Sequence, residues 1–198
     1  KHRRTFITRE HTLEVRRLGL SAVRVPVGYW LFEDVDRFVG GADRYLDQLF
    51  DWAADAELQV IICLHGAPGS QNGWDHSGKS GVVGWPDAAN AYQRTLYVLR
   101  QIAQRYGHRP NLIAIEPLNE PHPSLPVSML ARFYKHVRRE IKPYIHKGVE
   151  LLVSDAFQPD RMRRRLRRSF WRLPVLDQHM YQLFIPEDRA LDIDGHHA

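Results

Sequence analysis

The chain has one cysteine, Cys63, among its 198 residues, so no disulfide can form within it and a hydrophobic core must hold the fold. It has no apolar run near the ~20 residues that a membrane-spanning helix requires, and no membrane association is expected. No Gly-rich fingerprint follows the first apolar segment, which argues against a dinucleotide site there. HExxH and cysteine-rich ligand spacings are also missing, so neither a metal nor another cofactor is expected. The chain opens at Lys1 without a methionine or an apolar leader, a start that suggests a segment of a longer protein.

What is present fits a globular chain: 43% hydrophobic and 26% charged residues, with a formal charge of +5. Five short segments rich in Val, Ile and Leu read as strands: 21–27, 58–66, 111–120, 149–155 and 173–181. Their hydrophobicity is continuous rather than alternating, as in parallel strands covered on both faces. Amphipathic segments lie between them, with Leu46, Leu49, Phe50, Ala53 and Ala54 at helical spacing in one and Tyr92, Leu96, Leu99, Ile102 and Tyr106 in the next. Thr8 is a candidate N-cap for the first helix and Gly19 its candidate stop. The β-α alternation predicts a parallel α/β sheet, either open and doubly wound or closed as a (β/α)8 barrel.

Polar side chains favour the barrel. His65, Glu120, Asp155, and the pair His179 and Tyr181 each fall at or just past the C-terminal end of a different strand, the rim where a barrel enzyme assembles its site. One polar residue at a strand end is an ordinary cap; recurrence on four successive strands points to a site.

The segments "SAVRVPVGYW", "LHGAPGSQNGWDHSG", "IEPLNEP", "VSDAF" and "DQHMYQLF" occur in the order and at roughly the spacings of the exo-β-1,3-glucanase branch of glycoside hydrolase family 5, which the chain resembles from Thr5 onward. The resemblance implies one partial TIM-barrel domain over residues 1–198, with these five strands as the second to sixth of eight. It implies retaining hydrolysis of β-glucans or β-glucosides, no metal, and an extracellular or periplasmic setting. A retaining glycosidase needs one carboxyl group to protonate the departing oxygen and another, about 5 Å away, to attack the anomeric carbon. Glu120 matches the family's acid/base, and its pKa must be raised for that task. Asn119 would hydrogen-bond the sugar 2-hydroxyl. Arg24, in mid-strand among valines, requires a buried acceptor and is expected to orient a carboxylate. His65, His179 and Tyr181 match pocket residues. Trp74 and Phe184 match aromatic residues that clamp a glucosyl ring through its apolar face. Tyr29, with Trp30, is expected along the same cleft. Cys63 shares the alternation of His65 and should point inward as a small filler.

No nucleophile is found in this chain. In the family that glutamate ends the seventh strand. Glu116 lies roughly 13 Å from Glu120 at ~3.3 Å per residue and reads as a core residue, while Glu140, Glu150 and Glu187 fall in a helix, a strand start and a loop. A chain of five such strands leaves two open edges, so a homo-oligomer covering them, or a catalytically inactive glucan-binding remnant, are the alternatives. Two departures from the family pattern, His76 and the Gln178/Met180 pair, bear on linkage preference. The segment Arg161–Arg172 holds seven arginines, a composition that suits polyanions, yet Met162, Leu166 and Phe170 recur every four residues like the buried stripe of a solvated outer helix. Nucleic acid is therefore not expected as a partner.

Overall fold

The computed structural model describes residues 2–181 and 186–189. In chain order its elements are helices α1 (His2–Thr5) and α2 (Arg9–Arg17), strand β1 (Ala22–Gly28), α3 (Asp43–Asp55), β2 (Gln59–Gly66), α4 (Ala91–Tyr106), β3 (Leu112–Glu116), α5 (Val127–Ile141), β4 (Glu150–Ser154), α6 (Pro159–Ser169), β5 (Val175–Asp177) and α7 (Pro186–Arg189). The five strands form one sheet in the order β1-β2-β3-β4-β5, and every adjacent pair is parallel.

That order separates the two architectures left open by the sequence. A doubly wound sheet reverses its winding and places helices on both faces. Strictly sequential strands with right-handed crossovers place all helices on one side and curl the other face inward. The helices here pack on their neighbours, α2 on α3, α4 on α5 and α5 on α6, and Phe50 of α3 stacks on Tyr106 of α4 at 5.0 Å. The described residues thus form five units of an incomplete (β/α)8 barrel.

The core lies between sheet and helices. Val27, Val60, Ile62, Leu64, Ile115, Leu151 and Val153 meet Leu46, Phe50, Leu99, Ile102, Leu130, Phe133 and Val137 there. Pleat alternation turns the intervening residues to the barrel interior, where Arg24, Cys63, Glu116 and Asp177 collect on four strands. Cys63 pairs in register with Glu116, and Ser154 with Asp177. Cys63 is fully buried and outside the helix-facing core.

Thr8 is the N-cap of α2, its N–H donating to His11 Nδ1 at 3.1 Å. Gly19 follows the C-cap with φ +84°, a left-handed conformation open to glycine. Two strands are much shorter than the sequence implies. β3 stops at Glu116 because Pro117 has no N–H to donate. β5 spans three residues because its one neighbour among the described strands, β4, ends at Ser154. On α6, Met162 and Leu166 are buried while Arg163, Arg164, Arg167 and Arg168 are exposed. Phe170 lies one residue past that helix and still packs on the core. Among the described residues, no helix is long and apolar enough to cross a membrane.

Candidate active site

The site gathers at the C-terminal ends of the strands. Past Pro117, Asn119 N–H donates to Leu64 O at 3.1 Å, so the chain stays beside β2 after the regular ladder ends. Glu120 then takes φ +43°, a conformation that costs a non-glycine residue about 1 kcal/mol or more and persists only where surroundings enforce it. Two buried amides from the loop after β2 supply that enforcement. Gln71 Nε2 donates to Asn119 O at 2.9 Å and to His65 O at 2.8 Å, and Asn72 Nδ2 donates to Glu120 O at 3.0 Å. Neither was singled out from the sequence, although both lie inside "LHGAPGSQNG"; their partners are 48 residues away in the chain, beyond any local pattern.

The Glu120 side chain is 7% exposed. Its Oε1 pairs with His179 Nδ1 at 2.5 Å and accepts from Tyr181 OH at 2.5 Å, while its Oε2 lies 3.5 Å from His76 Nε2. Burial pushes the carboxyl up, but the bonds from Tyr181 and His179 and the charges of His179 and His76 outweigh it, leaving Glu120 below its ordinary value. An acid that must arrive protonated requires the opposite shift. The groups acting here are donors and cations, whereas a neighbouring carboxylate is what would raise it. Tyr181 is itself pushed up to about 12, chiefly by its bond to Glu120.

A second cluster adjoins the first. Arg24 grips Glu116 with Nε at 2.8 Å and Nη2 at 2.9 Å, and Nη2 also donates to Asn119 Oδ1 at 2.7 Å. Glu116 is fully buried, and burial holds its pKa above the ordinary value against the opposing pull of Arg24. Asn119 Nδ2, also buried, has no acceptor among the described residues.

His65 is pushed down to about 4 by burial and by the charge of His76, so at neutral pH it is an uncharged hydrogen-bonding group. Trp74 stands at the mouth with its ring 5.6 Å from His76, 5.8 Å from Phe157 and 6.2 Å from His122. Asp155 directly follows β4 and accepts the N–H of Phe157 at 2.8 Å. Tyr29 is buried at the start of the loop that follows β1, its OH donating to Asp36 at 2.6 Å and its ring edge-on to Trp30. Trp30 stacks on Phe38 at 3.7 Å and lies so close over Gly28 that a Cβ there would meet its ring at 2.4 Å. Phe184 lies outside the described residues. Glu140 bonds Arg100 on the outer surface and Glu150 bonds Arg172, both away from Glu120.

Donor atoms of Glu116, Asp177 and His179 lie within 4.8 Å of one another, a separation that a divalent cation spans. Arg24 already supplies the positive charge at Glu116, and both ring nitrogens of His179 are committed to carboxylates. A further cation would face the guanidinium at close range.

Sequential parallel strands whose C-terminal ends bring a buried glutamate, an arginine paired with a second buried glutamate and several histidines together define a (β/α)-barrel protein with its site at the usual rim. The profile for Cellulase (glycosyl hydrolase family 5) matches residues 3–152. The chain belongs to glycosyl hydrolase family 5. It is 36% identical over 206 residues to a probable glucan 1,3-beta-glucosidase A of Aspergillus fumigatus, covering 99% of this chain and 47% of that protein. It is 34% identical over 207 residues to a glucan 1,3-beta-glucosidase of Pichia angusta, with the same coverage. The chain thus spans about half the length of the curated relatives it matches. Among solved structures, rutinosidase from Aspergillus niger superposes with a TM-score of 0.64 at 19% identity, covering 78% of this chain and 49% of that one. Thermotoga maritima Cel5A does so at 0.57 and 21%, covering 75% and 44%. At those identities the structures speak for the fold alone.

Proposed function

We propose that this chain carries the acid/base half of a retaining β-glucoside hydrolase site, with β-1,3-glucan or a related β-glucoside as substrate and Glu120 as general acid/base. The observation that carries the reading is the Asn119 Nδ2 donor, buried beside Glu120 with no acceptor among the described residues. Such a donor costs about 1–3 kcal/mol if nothing fills it, and a substrate hydroxyl would. Arg24 fixes which end of the amide faces the opening by occupying Oδ1. His65, His76, His179 and Tyr181 offer further hydrogen bonds to hydroxyls, and the Trp74 ring offers its face to the apolar C–H side of a sugar. We place this reaction outside the cytosol, where a glucan polymer is met. The test is calorimetric titration with laminari-oligosaccharides together with NMR of the released sugar. Binding with release of β-configured glucose supports the hydrolase; absence of binding removes it.

A second reading, a glucan-binding segment without turnover of its own, is favoured by the groups around Glu120, all of which hold it as the anion. Binding of the same oligosaccharides with no release of glucose would select it. Among the described residues β1 and β5 have no outer neighbour, and exposed Phe6 and Leu20 lie near one and Trp171 and Val175 near the other, which supports self-association in either case; light scattering measures it.

Trp74→Ala tests the pocket assignment directly. Losing the ring is expected to weaken oligosaccharide binding by about 1–3 kcal/mol, the value of burying a large apolar side chain. The melting temperature should stay nearly constant, since Trp74 is outside the buried core. A large loss of stability with unchanged affinity would make the residue a packing element.

A further inference from the structure

One histidine stands between two carboxylates. His179 Nδ1 meets Glu120 Oε1 at 2.5 Å, and its Nε2 meets Asp177 Oδ2 at 3.0 Å. Asp177 closes β5, and His179 follows two positions later on the same side of an extended chain. The Asp177 main chain is tied to β4 through the Asp155 N–H, which donates to Asp177 O at 3.1 Å. The carboxylate that touches the ring is therefore anchored to the sheet.

We propose that Asp177 is a positioning residue of this site: by keeping a proton on His179 Nε2, it leaves a single exchangeable proton in the Nδ1–Oε1 contact, the proton that Glu120 delivers to a leaving group. The proposal rests on the acid/base reading of Glu120 and adds the device that supplies its proton.

An ionised carboxylate only accepts hydrogen bonds, so Asp177 requires Nε2 to be the protonated nitrogen. With that site fixed, the His179–Glu120 pair has two states of equal proton count. One is an imidazolium donating from Nδ1 to a carboxylate. The other is a neutral imidazole whose Nδ1 lone pair accepts from a carboxylic acid. They interconvert by one proton crossing from Nδ1 to Oε1, the nitrogen keeping the bonding pair. Without Asp177 a third state opens, in which neutral His179 carries its one proton on Nδ1 and Nε2 is bare. That tautomer still bonds to Glu120, yet it leaves Glu120 a permanent anion with no acid proton. An orienting carboxylate that fixes the tautomer of a neighbouring imidazole is the general logic of a catalytic triad.

Charged groups face His179 from several elements. Asp177 on β5 and Glu120 beyond β3 raise it, outweighing the burial that lowers it. Glu116 on β3 and Asp155 after β4 add negative charge nearby. Arg24 on β1 is balanced by Glu116, and His65 on β2 is neutral at pH 7. His76, from the loop after β2, meets the other oxygen of Glu120, and Tyr181 donates to the same oxygen as His179.

The experiment is long-range ¹H–¹⁵N NMR of the histidine rings in the ¹⁵N-labelled 198-residue chain across pH 5–9, with His179→Gln used for assignment. The expected result is a His179 whose Nε2 stays protonated throughout, with Nδ1 titrating above the ordinary histidine range. Asp177→Asn, which can turn an N–H toward Nε2, should invert the tautomer to Nδ1–H and lower the His179 pKa by about 1–2 units. A bare Nε2 at neutral pH in the unaltered chain overturns the proposal, and this reading needs no variant to fold. An unchanged tautomer and pKa in both Asp177→Asn and Asp177→Ala overturns it as well. The tautomer is read without turnover, so failure here is distinct from failure of Glu120 as the acid, which hydrolysis by Glu120→Gln would reveal.

Discussion

Replacing Glu120 with glutamine is expected to slow cleavage of an alkyl β-glucoside by about 10²–10⁴-fold, the usual contribution of a positioned general acid. An aryl β-glucoside with an acidic phenol should lose far less in the bond-breaking step, because its leaving oxygen departs without a proton. The split between the two substrates is the signature, since a merely structural glutamate would slow both alike. Glutamine keeps the size of the side chain and can still accept from Tyr181 and His179, so the buried pocket should survive. Where the chain turns over too slowly to follow, formate or azide can be added as an external nucleophile. The pH profile adds a sign. Glu120 is held below its ordinary value of 4.5, so the protonated form grows as pH falls, and anion-assisted turnover should rise from pH 7 toward pH 5, where the added formate or azide is still largely ionised. Equal losses on both substrates, or a rate that climbs with pH between 5 and 7, would end the acid assignment.

The strands were legible because each is a short run rich in Val, Ile and Leu, and the barrel because polar residues recur at their C-terminal ends. Glu120, His65, His179 and Tyr181 followed from that placement together with the family resemblance. Other features depend on contacts between segments far apart in the chain. Gln71 and Asn72 look like ordinary loop polars until the carbonyls of Asn119 and Glu120 are seen against them. Asp177, nearer at hand, lies inside the segment 173–181 that reads as a strand, and its contact with His179 Nε2 shows only in the structure. The partner of the Tyr29 hydroxyl, Asp36, seven residues on, was likewise not readable from the sequence. Strand ends were misjudged where a proline or a missing neighbour, rather than hydrophobicity, stops the ladder, as at Pro117 and after Asp177. The depressed pKa of Glu120 was not readable at all, because it depends on how many donors converge on one oxygen.

Arg24→Met is expected to destabilise the fold by about 3 kcal/mol at neutral pH, near the low end for breaking a buried ion pair, because the Arg24 side chain is 30% exposed while Glu116 is at 0%. For a domain of this size that is roughly a 6–12 °C fall in melting temperature. Methionine keeps much of the apolar stem, so the loss reports the charge left behind on Glu116. The pH dependence follows from that charge. Burial already holds Glu116 above its ordinary value. An acid whose folded pKa is raised favours the fold at pH below its unfolded value and loses that contribution as pH rises through the folded value. Removing Arg24 raises the folded pKa further, so the penalty should be largest near pH 7 and shrink toward pH 5 as Glu116 takes up a proton. Urea unfolding of both proteins at the two pH values measures the difference. The double variant Arg24→Met with Glu116→Gln closes the cycle: with no charge left to bury, it should regain most of the lost stability. A penalty independent of pH, or a double variant no more stable than Arg24→Met, would mean that Arg24 acts through packing and that its two bonds to Glu116 contribute little.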